Sequence, residues 1–187
     1  MTSIKQAKIL IMATDGFEQS ELFVPLEKLR GAGATVNIAA PKKGPIKGWN
    51  ETDWGKSVDA DLEIEEVDAD DFDALVLPGG QINPDKLRIN ERAVELVLDF
   101  LDSEKIVAAI CHAPWLLVEA DAVEGRTLTS WPSLKTDIEN AGGDWIDEEV
   151  VVDDNIITSR SPKDLDAFVA KIIEELESAD GEVRQSA

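Results

Sequence analysis

The single cysteine and the single histidine of this chain are neighbours, Cys111 and His112. One of each placed at random would be adjacent about once in a hundred chains of this length, so the pairing is mild support for a site. A thiol beside an imidazole can act as a nucleophile with a proton carrier at hand. The flanking residues favour this. Ile106 to Ile110 is a continuous apolar run of strand length, and Pro114, pre-set for the first turn of a helix, opens the next apolar segment. Cys111 therefore falls at a strand-to-helix corner. Ala109 and Ala113 lie two positions to either side, the small-residue spacing that lets a chain turn sharply and hold a nucleophile out of a sheet. The helix N-terminus that follows favours a thiolate. Against this stands the ordinary role of a lone cysteine after a buried strand, a small core hydrophobe, which position alone would favour. One Cys and one His cannot supply the three or four ligands of a metal site, so no metal is expected.

The elements around the corner alternate strand and helix. Ala7–Ala13 reads as a buried strand, followed by a turn at Thr14-Asp15-Gly16-Phe17. Ser20 is placed to cap a helix to about Gly31, with Leu22, Phe23, Leu26 and Leu29 on one face and Pro25 tolerable near its start. A strand over Ala34–Ala40 completes a strand-helix-strand unit, which implies a right-handed crossover and a parallel sheet. Gly44, Pro45, Gly48 and Gly55 break up the segment from Pro41 to Glu66, which reads as an antiparallel excursion off the main sheet. Asp73–Leu77 is a further parallel strand ending in Pro78-Gly79-Gly80, where paired glycines can leave backbone N–H groups free for a ligand. Asn83-Pro84-Asp85 reads as a turn before a helix from about Asn90 to Leu101, with Ala93, Val94, Val97, Leu98 and Leu101 inward. A helix from Pro132 or Ser133 toward Asn140, a hairpin about Asp153-Asp154-Asn155 and a last helix from Ser161-Pro162 follow. Sites in such sheets form at the carboxyl ends of strands, and the turns holding Glu18, Gly80 and Cys111 all fall on that edge.

Length, charge and hydropathy limit the function classes. At 187 residues the chain reads as one domain, 1–187, without repeats or linkers. The segment before the first apolar run lacks the hydrophobic region of a secretory signal, and no stretch has the length of a membrane span. One cysteine forms no intrachain disulfide, which fits a reducing cytoplasm. Acids outnumber bases 39 to 18, a formal charge of −21. Such a chain repels nucleic acid and anionic membranes, so neither is expected as a partner. The acids are interleaved with apolar positions, as in a folded protein adapted to high salt, where a screening length of about 3 Å at 1 M suppresses surface repulsion.

A carboxyl beside Cys111 would share protons with it, and a neutral carboxylic acid could donate a hydrogen bond to sulfur and favour the thiolate. Glu18, Asp15 and Glu21 all follow the first strand, and the residues alone do not choose among them, although Glu18 is the first choice.

At this point the chain resembles the PfpI family of the ThiJ/PfpI superfamily. The resemblance runs from Lys8 to about Leu176 and is carried by Asp15-Gly16-Phe17-Glu18-Gln19-Ser20-Glu21-Leu22, Phe72-Asp73-Ala74-Leu75-Val76-Leu77-Pro78-Gly79-Gly80, Ala109-Ile110-Cys111-His112-Ala113-Pro114, Gly125-Arg126-Thr127-Leu128-Thr129-Ser130 and the stretch from Asn140 to Asp153. It implies a flavodoxin-like three-layer sandwich with a mostly parallel sheet, like that of class I glutamine amidotransferases. It further implies Cys111 as nucleophile, Glu18 as its hydrogen-bonded acid, and the N–H groups of Gly80 and His112 as an oxyanion site. The acid that orients His112 in this family comes from a neighbouring subunit in some members; the matching position is Asp85, where the family often has Glu. A homo-oligomer, dimer to hexamer, is implied, and no cofactor. Ala113 stands where many relatives have Gly.

The chemistry implied is attack of the thiolate on a carbonyl carbon, with His112 moving protons. Relatives are described as intracellular cysteine peptidases or as deglycases, with a glyoxalase activity that needs no glutathione. No substrate-binding domain suited to peptides is evident, which favours a small carbonyl or glycated substrate. A redox sensor or holdase in which Cys111 is oxidised reversibly is a further alternative. A glutamine amidotransferase needs a catalytic histidine far from its cysteine, and this chain has no second histidine.

Overall fold

A computed structural model describes residues 3–185, with side chains through Ser178. Its centre is a seven-stranded sheet in the order β10-β11-β7-β6-β1-β2-β5. The short, continuously apolar strands β1 (Lys8–Met12), β6 (Ala74–Leu77) and β7 (Ile106–Ile110) lie in the middle, where both faces are covered. β2 (Thr35–Ala40) and β5 (Leu62–Glu63) extend the sheet on one side and β11 (Ile156–Ser159) on the other, all parallel. Only β10 (Val150–Asp153), joined to β11 by the tight turn at Asp154-Asn155, runs antiparallel.

The period-two alternation of β1 splits the core. Ile9 and Ile11 point into the layer shared with helices α1 (Gln19–Ala32) and α6 (Leu165–Gln185). Leu10 and Met12 point into the layer built by α3 (Glu91–Asp102), α4 (Pro114–Glu119) and α5 (Lys135–Asn140). This is a flavodoxin-like three-layer sandwich. The excursion is a hairpin, β3 (Gly44–Asn50) and β4 (Asp53–Ala60), off the main sheet. A small parallel pair, β8 (Thr127–Leu128) with β9 (Asp144–Trp145), completes the strands.

Three local expectations are corrected. The turn at Asn83-Pro84-Asp85 is a short helix, α2 (Ile82–Leu87), because Pro84 occupies its first turn, where no backbone N–H is required. Helix α1 is capped by Glu18 rather than Ser20: the Glu18 carboxylate accepts the Ser20 N–H at 3.4 Å and the Ser20 hydroxyl at 3.0 Å. Pro25 consequently lies inside the helix, opposite the carbonyl of Glu21. In α3 the buried face is Ala93, Leu96, Val97 and Phe100, and Leu98 turns outward. Apolar residues at 93–94, 96–98 and 100–101 fit two adjacent helical stripes, and the stripe carrying Phe100 buries more area.

Replacing Glu18 with alanine removes the α1 cap and is expected to cost about 1 kcal/mol in urea-unfolding stability, with Glu18→Gln costing less.

Candidate active site

β7 delivers Cys111 to the carboxyl edge of the sheet, and the next residues must turn at once into α4. The turn is made at Cys111 itself, whose φ of 65° is left-handed. That conformation is costly for a side chain with a Cβ, by about 1–2 kcal/mol, and its presence at a reactive residue points to function. Two backbone bonds hold it: Cys111 N–H donates to Ser159 O at 3.0 Å, and Trp131 N–H donates to Cys111 O at 2.9 Å.

The acid beside the thiol is Glu21, not Glu18. Glu21 is fully buried on the apolar face of α1, and its Oε2 accepts the Gly79 N–H at 2.9 Å. A Cβ at position 79 would come within 2.7 Å of this oxygen and 2.8 Å of the Cys111 Cβ. Glycine at 79 therefore makes the room in which acid and thiol meet. Glu21 Oε1 has no hydrogen-bond partner, one of two such buried side-chain oxygens among the described residues. Burial pushes the Glu21 carboxyl well above the usual carboxylate range, with the Glu18 charge adding to it, against the pull of the thiol and the Gly79 and Gly80 amides. The shift favours the protonated form of this carboxyl.

The thiol is also raised, not lowered, in the resting site, first by burial and then by the charge an ionised Glu21 would carry. The N–H groups of Gly80 and His112 face the sulfur and act in the opposite direction. With Glu21 neutral, repulsion from that carboxyl disappears and only desolvation opposes the thiolate. The same two N–H groups are those that the family resemblance implies for an oxyanion. Gly80 (φ 80°) aims its N–H inward through a backbone angle that glycine readily adopts.

His112 is 5% exposed. Its Nδ1 lies 3.2 Å from Cys111 Sγ, and its Nε2 lies 3.5 Å from Ser133 Oγ. The ring stacks on Trp131 and meets Trp115 at a tilt. Burial pushes the imidazole down to about 4, so it is neutral at pH 7. The unfolded imidazole titrates near 6.5. Between these values the unfolded chain binds the extra proton, so the stability from neutral burial is intact above about pH 6.5 and is lost as pH falls toward 4. The loss expected is about 3 kcal/mol. Urea midpoints of wild type and His112→Gln should converge over this window; parallel curves would contradict the burial argument.

Asp85, expected at His112, lies exposed on α2 and makes no contact with the imidazole within its own chain. Glu18 lines the pocket in addition to capping α1. The hairpin closes another side. Gly16 N–H donates to Lys47 O, Trp49 N–H donates to Phe17 O, and Trp49 lines the pocket together with Trp131. The resulting cavity is about 420 Å³, the size of a small-molecule site. Among the described residues no three His, Cys, Asp or Glu side chains cluster as metal ligands, and no helix is long and apolar enough to cross a membrane.

Trp131, which the sequence offers as a pocket-lining aromatic, lines the cavity, whereas sequence reasoning gave Ser133 no place in the site and did not choose Glu21 over Glu18 and Asp15. Glu21 carried a readable signal, an acid at the i, i+4, i+8 spacing of Pro25 and Leu29 on a buried helix face.

A strained cysteine at the end of a central parallel strand, a buried acid and two convergent amides define a thiol-bearing protein of the flavodoxin-like class. The chain belongs to the DJ-1/PfpI family, whose model matches residues 7–175. It is 45% identical over 166 residues to a deglycase of Pyrococcus abyssi, covering 89% of this chain and 97% of that one. It is 41% identical over 164 residues to a putative cysteine protease of Bacillus subtilis, covering 86% and 93%. A two-domain protein of Anabaena variabilis with DJ-1/ThiJ/PfpI-like and ferritin-like domains superposes with a TM-score of 0.86 at 36% identity, covering 91% of this chain and 48% of that one. This chain thus spans about half the length of that protein.

Proposed function

We propose that this chain is a cysteine-dependent hydrolase of carbonyl adducts, a deglycase with the related glutathione-independent glyoxalase activity. The observation that carries the reading is the buried Glu21 carboxyl, bonded to Gly79 N–H through Oε2 and with Oε1 free of any hydrogen-bond partner, beside the Cys111 thiol in a compact cavity. A methylglyoxal hemiaminal presents a carbinol carbon bonded to the amine. Sulfur bonds to that carbon, the carbon–nitrogen bond breaks, and the amine leaves with a proton delivered by the Glu21 or His112 side of the pocket. The thiohemiacetal then shifts a proton from its first carbon to the second through an enediol, giving a lactoyl thioester, and water releases lactate and the thiol. One water is consumed and no external oxidant is needed. Negative charge on oxygen in these steps is met by the Gly80 and His112 amides.

Cys111, His112, Glu21, Gly80 and the pocket-lining Glu18 are the proposed site, with Asp85 as the acid that would orient His112 from a neighbouring subunit. A peptidase reading is favoured by the name of the Bacillus subtilis relative. The small cavity favours the adduct. Lactate formation from methylglyoxal in molar salt without glutathione tests the choice, since a peptidase alone yields none.

The reading includes a cytoplasmic homo-oligomer, dimer to hexamer, that binds no nucleic acid. Support for assembly is the α2–α3 corner, where Asp85 is exposed and Ile89 is 84% exposed. The charge of −21 supports function at high ionic strength. Melting temperature is expected to rise by roughly 5 °C between dilute buffer and 1 M salt as self-repulsion is screened; an unchanged melting temperature would remove this inference.

A further inference from the structure

We infer that Asn83 is a positioning residue for the reaction: its carboxamide fixes the orientation of the Gly79–Gly80 peptide, so that the N–H of Gly80, and not the carbonyl of Gly79, faces the Cys111 sulfur. The inference rests on the proposed site, in which that N–H is one of the two oxyanion donors. Asn83 stands in the first turn of α2 and is fully buried. Its surroundings are therefore set by its own chain.

The sheet stops short of this turn. The pairing of β1 with β6 ends at Ile11 and Val76, and that of β6 with β7 at Leu77 and Ala109. Beyond those points the Asn83 carboxamide takes the place of a ladder peptide, accepting on its oxygen and donating from its nitrogen. Just past β1, its Oδ1 accepts the Thr14 N–H at 2.7 Å. Just past β6, its Nδ2 donates to Pro78 O at 2.7 Å and to Gly79 O at 3.4 Å. One side chain joins the ends of two central strands.

In a trans peptide the C=O and N–H point in opposite directions, and no cis bond occurs among the described residues. Pro78 O is bonded to Asn83, and the Gly79 N–H of the same unit is sent to Glu21 Oε2. Gly79 O is held by Asn83 and by the Glu18 N–H at 3.2 Å, and the Gly80 N–H of that unit is sent to the sulfur. Asn83 thus grips the carbonyl ends of two successive peptides whose N–H ends serve the acid and the thiol. The grip is needed because both residues are glycine. Without a Cβ on either side the peptide between them turns over at little cost, and a turned peptide would bring a carbonyl oxygen to the sulfur. Larger residues cannot supply the stiffness. A Cβ at 79 would meet Glu21 and Cys111, and one at 80 would come within 2.7 Å of Glu18 N and Gly16 O.

Asn83→Asp keeps the volume and the Thr14 bond but sets an oxygen against the two carbonyls to which the amide donated. It is expected to lower kcat for lactate formation from methylglyoxal about a hundredfold, as loss of one oxyanion donor does, with KM within about twofold of wild type. Alkylation by iodoacetamide reports Cys111 alone, because the chain has one cysteine. Its rate should fall about tenfold as the thiolate loses a hydrogen bond. Asn83→Ala leaves a polar space that water can enter, so the same pattern is expected at about tenfold in kcat, and this variant serves where the aspartate does not fold. A crystal structure of either variant should show the Gly79–Gly80 peptide turned over or in two orientations. A peptide in its wild-type orientation would overturn the inference, as would wild-type kcat and alkylation rate in a folded variant. A turned peptide and slowed alkylation, with no turnover even in wild type, would support the inference and refute the hydrolase reading.

Discussion

Cys111→Ser is expected to lower kcat for lactate release by at least about a thousandfold, or about 4 kcal/mol of barrier, with the melting temperature nearly unchanged. Serine keeps the volume and the left-handed backbone that the corner requires, so the packing around the site is preserved. The hydroxyl cannot take the thiol's part. It is far less acidic than a thiol, and the His112 imidazole, pushed down to about 4 by burial, is too weak a base to ionise it. Turnover within tenfold of wild type would mean that the sulfur forms no bond to substrate.

Glu21 gives the second large effect, and two substitutions separate its parts. Glu21→Ala leaves the Gly79 N–H without its acceptor in a buried site and opens a cavity beside the thiol, at a cost of about 2–4 kcal/mol. Glu21→Gln keeps the shape and the Gly79 bond but cannot exchange a proton. It is expected to lower kcat about a hundredfold with little loss of stability. The pH dependence has a definite sign. A carboxyl raised by burial adds stability that is complete below its unfolded value near 4.5 and disappears as pH rises through its folded value. Glu21→Gln should therefore gain on wild type in urea midpoint as pH increases. A gap constant with pH would show that Glu21 does not titrate in that range.

Much of this site is written in the local pattern. The apolar run at 106–110, the proline at 114 and the small flanks at 109 and 113 placed Cys111 at a corner, and the structure puts a left-handed residue there. The glycines after β6 could be read as a ligand-facing turn because backbone chemistry is local. The choice of acid was not local in the same way. Glu18 and Glu21 stand three residues apart, and which one turns inward depends on where α1 begins and on the empty space above Gly79, 58 residues away. The i, i+4, i+8 spacing of Glu21 with Pro25 and Leu29 places it on the buried face with either cap, but an acid on such a face becomes a partner for the thiol only through the approach of Gly79. Ser133 is harder still. It reaches His112 only because β8, β9 and α5 fold segment 130–133 back over the cysteine corner, a contact between residues 21 positions apart that no periodicity announces.

The most direct test supplies wild-type protein with the methylglyoxal adduct of N-acetylarginine and measures lactate and free N-acetylarginine together, with free methylglyoxal trapped as it appears. The account predicts equal amounts of the two products, released faster than the adduct dissociates unaided. Lactate that vanishes when free methylglyoxal is trapped would contradict a deglycase acting on the adduct itself.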